Sequence, residues 1–235
     1  MFHLVIYRIY IIDNFFQKNH NKKRNGEQIM KVLLVNGSPH QNGCTFTALD
    51  ECAKKLNELG VETEIYWLGT KAMQGCIACG KCKKTGKCIF DDCVNEISNR
   101  LDEFDGFIFG GPVYYGGPCG QLTAFMDRLF YTSAPRLSCK PASSVVSCRR
   151  GGATSAYERL NKYFEMSNMP VVTSQYWNQI HGNTREEALL DAEGLQTMRT
   201  LAVNMAWLLK CIEIGKLNGV EMPVYEEKLR TNFIR

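Results

Sequence analysis

The sequence predicts a doubly wound three-layer α/β fold: five parallel strands in one sheet with helices on both faces. Three observations carry that expectation. Apolar runs of strand length alternate with longer segments whose apolar residues recur at helical spacing. Glycine-rich turns follow the first, third and fourth of those runs. At 235 residues and 45% hydrophobic, the chain is long enough to bury a full core without covalent staples.

The elements follow in order from Met30. "KVLLVNG" is a continuous apolar run that reads as a buried strand, and "TFTALDECAKKLNELG" is a helix closing on Gly60. "VETEIYWL" is the second strand. After an irregular cysteine-rich excursion, "DDCVNEISNRLDEF" opens on paired aspartates suited to a helix N-terminus. "DGFIFGGPVYY" is the third strand and "GQLTAFMDRLFY" the next helix. "PASSVVSC", "ATSAYERLNKYFEMS" and "MPVVTSQYW" read as strand, helix and strand, before one long final helix over "TREEALLDAEGLQTMRTLAVNMAWLLKCIEI". Strands that alternate with helices pair in parallel through right-handed crossovers. The domain is expected over 30–215, with a cysteine-rich loop at 75–89 and a tail at 216–235.

Residues 1–29 are expected to lie outside the core, because an apolar stretch gives way to the charged "QKNHNKKRNGEQ" before Met30. "MFHLVIYRIYIIDNFF" holds an arginine and an aspartate and lacks a small-residue cleavage site, so it does not read as a secretion signal. It is also shorter than the about 20 apolar residues that span a bilayer. The net charge of +4 is small and the remaining basic residues are dispersed, which argues against a nucleic-acid partner. Eleven cysteines without a secretion signal point to a reducing cytoplasm, where clustered thiols bind metal or do redox chemistry more often than they form disulfides.

In such sheets ligands bind beyond the carboxyl ends of the strands, near the point where strand order reverses. There, "NGSPHQNGCT" leads straight into a helix, so its backbone N–H groups and small hydroxyl side chains suit a phosphate. A turn in which Ser38, Asn42 and Thr45 merely cap the helix explains the same residues. "GGPVYYGGPCGQLTAFMDR" sets two tyrosines between Gly-Gly-Pro turns, where a planar ligand can approach the backbone closely. "SCRRGGAT" places glycines and two arginines ahead of another helix.

Together these loops resemble the flavodoxin-like NAD(P)H-dependent FMN reductase superfamily over about Met30 to Gly215. With "CIACGKCKKTGKC" added, the chain is similar to the iron-sulfur flavoprotein branch. The resemblance implies that Ser38, His40, Asn42, Gly43, Cys44 and Thr45 surround the FMN phosphate. It places Pro112, Val113, Tyr114, Tyr115 and Gly116 beside the isoalloxazine, with Ser147, Arg149, Gly151 and Gly152 on its other polar edge. Relatives usually carry a basic residue in place of His40 and asparagine or serine in place of Cys44, which shifts phosphate binding toward the backbone. Dimers or tetramers are implied as well.

The thirteen-residue span from Cys76 to Cys88 admits a disulfide staple, a bound metal or cluster, or incidental thiols. Two-residue spacers turn Cys76, Cys79 and Cys82 toward one centre, and Cys88 completes a set of four suited to a [4Fe-4S] cluster. Structural zinc more often takes two separated C-x2-C pairs. Zinc and metal-free thiols remain the competing readings, and Cys93 is a spare ligand. Lys81, Lys83, Lys84 and Lys87 either offset cluster charge or form a solvated run. The loop is expected on the same sheet edge as the flavin.

The function expected is electron transfer from NADH or NADPH through FMN, and through a cluster where one is held, to a quinone, a flavin or a redox protein. A flavin carries that chemistry itself, so no acid, base or nucleophile is assigned. The sequence contains no H-E-x-x-H and no G-x-S-x-G. An FMN-binding electron carrier without nicotinamide activity is the alternative.

Overall fold

A computed structural model describes residues 23–24 and 27–231. The expected extension lies mostly outside them, as do the last four residues of the tail; within the extension, Lys23–Arg24 pairs antiparallel with Glu27–Gln28. The first core strand, β1 (Lys31–Asn36), is apolar on both faces because both are covered. Leu33 and Val35 join one apolar layer, Val32 and Leu34 the other. Helix α1 (Cys44–Glu58) follows, then β2 (Glu62–Trp67), then the short α2 (Lys81–Thr85) inside the cysteine-rich loop. Helix α3 (Cys93–Arg100) starts where Asp92 accepts from Val94 N at 3.0 Å, as the paired aspartates predict.

Strand β3 (Gly106–Tyr114) turns back at once into the two-residue β4 (Gly117–Pro118), and α4 (Gly120–Leu137) crosses to β5 (Ala142–Cys148). Helix α5 (Ala153–Met166) leads to β6 (Gln179–His181), α6 (Arg185–Leu190) and α7 (Ala192–Leu217). Five strands run parallel in the order β2-β1-β3-β5-β6, with β4 adding antiparallel to the end of β3. Helices α3, α4 and α5 cover one face and α1 and α7 the other. The strand order reverses between β1 and β3, and their carboxyl ends lie side by side, Asn36 against Gly110.

Two elements differ from expectation. The fifth strand forms at Gln179–His181 rather than over Met169–Trp177, where Val171 makes only a single bridge to Ala142. The reason is a buried polar knot: Asn178 Nδ2 donates to Ser143 Oγ at 2.9 Å and Ser144 O at 3.1 Å, and Ser174 Oγ donates to Asn178 Oδ1 at 2.6 Å. That knot draws the intervening residues out of the ladder. The long final helix is cut in two because Asp191 accepts from Gly194 N at 2.9 Å as the cap of α7. Beyond Leu217 the tail is exposed and irregular as far as Thr231.

Candidate functional site

The three glycine-rich loops meet at the carboxyl edge of the sheet and are bonded to one another. In the first, buried Asn36 shapes the turn: its Oδ1 accepts from Ser38 N at 3.0 Å and its Nδ2 donates to Gln41 O at 3.0 Å. Ser38 Oγ accepts from His40 N at 3.1 Å, and Trp67 Nε1 donates to Ser38 O at 2.8 Å. His40 and Asn42 stand exposed on the rim, while Ser38 and Thr45 are buried. The Cys44 thiol donates to Thr184 O at 3.1 Å, joining this loop to the chain after β6, and burial pushes its pKa up.

The second loop is the hairpin between β3 and β4. Pro112, Val113 and Tyr114 end β3, and Tyr115 and Gly116 form the turn with φ of 49° and 75°. Tyr115 is fully exposed and Tyr114 half exposed. The third loop starts at Ser147 and passes through exposed Arg149, Arg150 and Gly151 to Gly152, which begins α5 with φ of 88°. Gly152 is the close approach of the site. A Cβ there would lie 2.8 Å from Gly116 Cα and 3.0 Å from Val113 Cγ1.

Further bonds complete the contact among the loops. Thr45 and Ser147 share a buried hydroxyl pair at 2.8 Å, tying the first loop to the third. The Cys119 thiol donates to Gly37 O at 3.2 Å, tying the second to the first, and the Ser155 hydroxyl donates to Gly116 O. Neither Ser38, Asn42 nor Thr45 caps α1, which starts at Gly43 with no side-chain cap. Helices α4 and α5 likewise start uncapped, whereas side chains of Asp92, Thr184 and Asp191 cap α3, α6 and α7. Four α-helices among the described residues start without a side-chain cap: α1, α4 and α5, which follow the three loops, and the five-residue α2 of the cysteine loop. Backbone donors left over at a helix start accept an anion readily.

The cysteine loop forms a second site. Cys76, Cys79, Cys82 and Cys88 all line one cavity of about 180 Å3, with Lys83, Arg128 and Tyr131 among the other walls. Cys76 and Cys79 are exposed, Cys82 and Cys88 partly sheltered. Gly80 and Gly86 bracket α2 with φ of 68° and 70°, left-handed turns that open and close the short helix carrying Cys82. Among the described residues no three Cys, His, Asp or Glu side chains are gathered as a single-ion site. A single zinc ion holds sulfurs at about 2.3 Å from one point. Cys93 does not line the cavity; it begins α3 and burial pushes its pKa up to about 11. Lys81, Lys84 and Lys87 are exposed.

The loop leaves β2 at the carboxyl edge of the sheet, where Gln121 Nε2 donates to Gly69 O at 2.9 Å. Its cavity, however, sits against Arg128 and Tyr131 of α4. Those residues lie more than two turns in from Gly120, roughly 12–17 Å along the axis. The four cysteines therefore lie along a helix of the sheet's flank rather than at the loop edge itself. Sequence reasoning did not single out Asn36, Trp67 or Arg128. Asn36 ends a buried strand beside a glycine, which was its visible signal. Arg128 gave none, since arginine in a helix is usually solvated.

Residues 30–184 match the family model described as NADPH-dependent FMN reductase. An iron-sulfur flavoprotein of Methanocaldococcus jannaschii is 34% identical over 192 residues, covering 78% of this chain and 100% of the relative. An iron-sulfur flavoprotein of Methanosarcina thermophila is 28% identical over 189 residues, covering 78% of this chain and 97% of the relative. Among solved structures, RosB with bound 8-demethyl-8-formylriboflavin-5'-phosphate aligns with TM-score 0.62 at 13% identity, over 88% of this chain and 94% of that one. An archaeal flavodoxin aligns with TM-score 0.53 at 16% identity, over 77% and 99%. These two likenesses establish the fold as flavodoxin-like. The family match over residues 30–184, a span that holds all three loops and the cysteine segment, together with the 34% identical relative, shows that the chain belongs to the NADPH-dependent FMN reductase family, in its iron-sulfur flavoprotein branch.

Proposed function

We propose that this protein is an FMN-dependent NAD(P)H oxidoreductase that passes electrons from NADH or NADPH to a quinone, flavin or redox-protein acceptor in the cytoplasm. The observation that carries the reading is the set of three uncapped helix starts on three mutually bonded loops. In this reading the first turn of α1, with Ser38, His40, Asn42, Gly43, Cys44 and Thr45, receives the FMN phosphate. Pro112, Val113, Tyr114, Tyr115 and Gly116 border the ring, and Ser147, Arg149, Gly151 and Gly152 meet its polar edge. Bound FMN supplies the hydride and single-electron chemistry. The chain's own part is to bind and orient: Gly152 lets the hairpin close on α5, and the Tyr114 and Tyr115 rings flank the approach to the ring.

In the same reading Cys76, Cys79, Cys82 and Cys88 hold a [4Fe-4S] cluster. The donor set supports it, because four thiols and cationic side chains surround one cavity. The protein acts as a homodimer or homotetramer, which light scattering would check, a monomer counting against it. The decisive experiment is purification without air followed by an absorbance spectrum and by oxidation of NADH and of NADPH. Flavin absorbance with turnover of either donor is expected. Flavin without turnover leaves an FMN-binding electron-transfer flavoprotein. Colourless protein that takes up no added FMN overturns the proposal.

A further inference from the structure

Among the described residues Arg128 is the largest side chain that solvent barely reaches, 1% exposed, and it stands in the wall of the cysteine cavity. All three guanidinium nitrogens are used. Nε donates to Cys88 Sγ at 3.2 Å. Nη1 donates to Gln74 O at 3.2 Å and Asp92 Oδ2 at 2.7 Å, and Nη2 to Phe90 O at 3.1 Å and Asp92 Oδ1 at 2.8 Å. The ring of Phe90 lies 5.1 Å from the guanidinium carbon. One side chain of α4 thus fastens the loop at Gln74, Cys88, Phe90 and Asp92, which spans the entire cysteine motif. A planar fork with fixed donors is the group that can do this, and it stays charged at every working pH. A second residue, buried Asn95, holds the same segment without charge: it accepts from Cys88 N at 2.8 Å and donates to Cys88 O at 3.1 Å.

We infer that Arg128 is the positioning residue of the iron-sulfur site, holding Cys88 in place and raising the cluster's reduction potential through the N–H it donates to the Cys88 sulfur, its charge being shared with Asp92. The inference rests on the cluster reading above. Adding one electron makes the cluster more negative, so a cation and a donor at a ligand sulfur favour the reduced form. The exposed lysines of the loop are screened by water and act less. The other three thiols have no such partner among the contacts described for this cavity: Cys82 meets only Tyr131 O, at 3.8 Å.

The test uses full-length protein, wild type beside R128Q, R128K and N95A, reconstituted anaerobically with iron and sulfide. Iron content, melting temperature and the cluster midpoint by paramagnetic resonance are measured. R128Q is expected to keep its fold and to shift the reduction equilibrium at least tenfold toward the oxidised form, a midpoint about 59 mV lower for one electron. R128K keeps the charge but not the fork and is expected to fall between wild type and R128Q. N95A removes an uncharged hold on the Cys88 backbone and leaves the donor at its sulfur, so its midpoint is expected to lie nearer wild type than that of R128Q. An R128Q midpoint equal to wild type overturns the inference. If R128Q folds but holds no iron, R128K decides: a midpoint below wild type supports the role in potential, and one equal to wild type overturns the part assigned to the guanidinium N–H on the Cys88 sulfur. Iron lost from both Arg128 variants at unchanged melting temperature supports the positioning role; iron retained in full by both, with the wild-type midpoint, overturns it. Wild-type protein that takes up fewer than about three irons sinks the cluster reading itself.

Discussion

Replacing Gly152 with alanine tests the geometry that brings the loops together. The backbone there has φ of 88°, where a residue with a Cβ costs about 1–2 kcal/mol. The new methyl would also meet Gly116 Cα at 2.8 Å, a backbone atom that cannot swing aside. Overpacking of that kind costs about 1–3 kcal/mol. A sum near 3 kcal/mol is expected, and a domain of this size loses about 2–4 °C of melting temperature per kcal/mol, so Tm should fall about 6–12 °C. Gly151→Ala is the matched control, because nothing lies within 4 Å of its Cβ position and its φ is not positive. That change should stay within about 0.5 kcal/mol. Thermal unfolding of flavin-free protein by circular dichroism reads both. If the two variants melt together, Gly152 is not the close approach described. The displaced hairpin should weaken FMN in Gly152→Ala and leave it unchanged in Gly151→Ala, which flavin-fluorescence titration measures.

Ser38→Ala should weaken FMN about tenfold to a hundredfold with little change in Tm, the usual effect of removing one bond to a charged group; equal affinity in fluorescence titration would count against phosphate binding by this loop. Thr45→Ala leaves the buried Ser147 hydroxyl without its partner and should cost about 1–3 kcal/mol. Adding Ser147→Ala should then cost less than the two single changes summed, and additive denaturation midpoints would show that the pair does not couple. Lys140 donates to Leu101 O at 2.7 Å and Phe104 O at 2.8 Å, and desolvation pulls its pKa down to about 8. Between there and the ordinary value of about 10.4 the unfolded chain binds more protons, so stability relative to Lys140→Met should rise with pH across that window. A difference that stays flat from about pH 8 to 10 in urea titrations would refute the assignment.

The parallel sheet was legible because β1 and β3 read as near-continuous apolar runs and β5, though it carries three serines, is made of small and β-branched residues bounded by a proline and glycines. Strand β6 was not, since of Gln179, Ile180 and His181 only Ile180 is buried, too little pattern to see. "MPVVT" looked more like a strand, and what removed it from the ladder is Asn178 bonding to Ser143 and Ser144, a long-range contact no local window carries. The break before α7 was written in "LLDAEG", an aspartate at a helix start, but the apolar periodicity around it hid the signal. At the site, the glycines and small hydroxyls announced the loops, and the cysteine spacing announced a shared cavity. Two of the side chains that hold those loops in shape were hidden for one reason. Trp67 and Arg128 act by reaching across from other elements, and a sequence does not show what its side chains reach, whereas Asn36 bonds within its own loop.

The hairpin tip has a consequence for the resting protein. Two-residue turns with both φ values positive favour asparagine or glycine at the first position, and here that position holds Tyr115, its ring entirely in water. A tyrosine in that backbone state is strained by about 1–2 kcal/mol and gains no burial within the chain to offset it. Glycine at 115 would therefore give a free protein roughly 1 kcal/mol more robust, about fivefold in its folding equilibrium. The protein as it stands keeps an aromatic surface held outward under tension, and any flat partner that covers the ring lowers the free energy of a conformation the chain has already adopted.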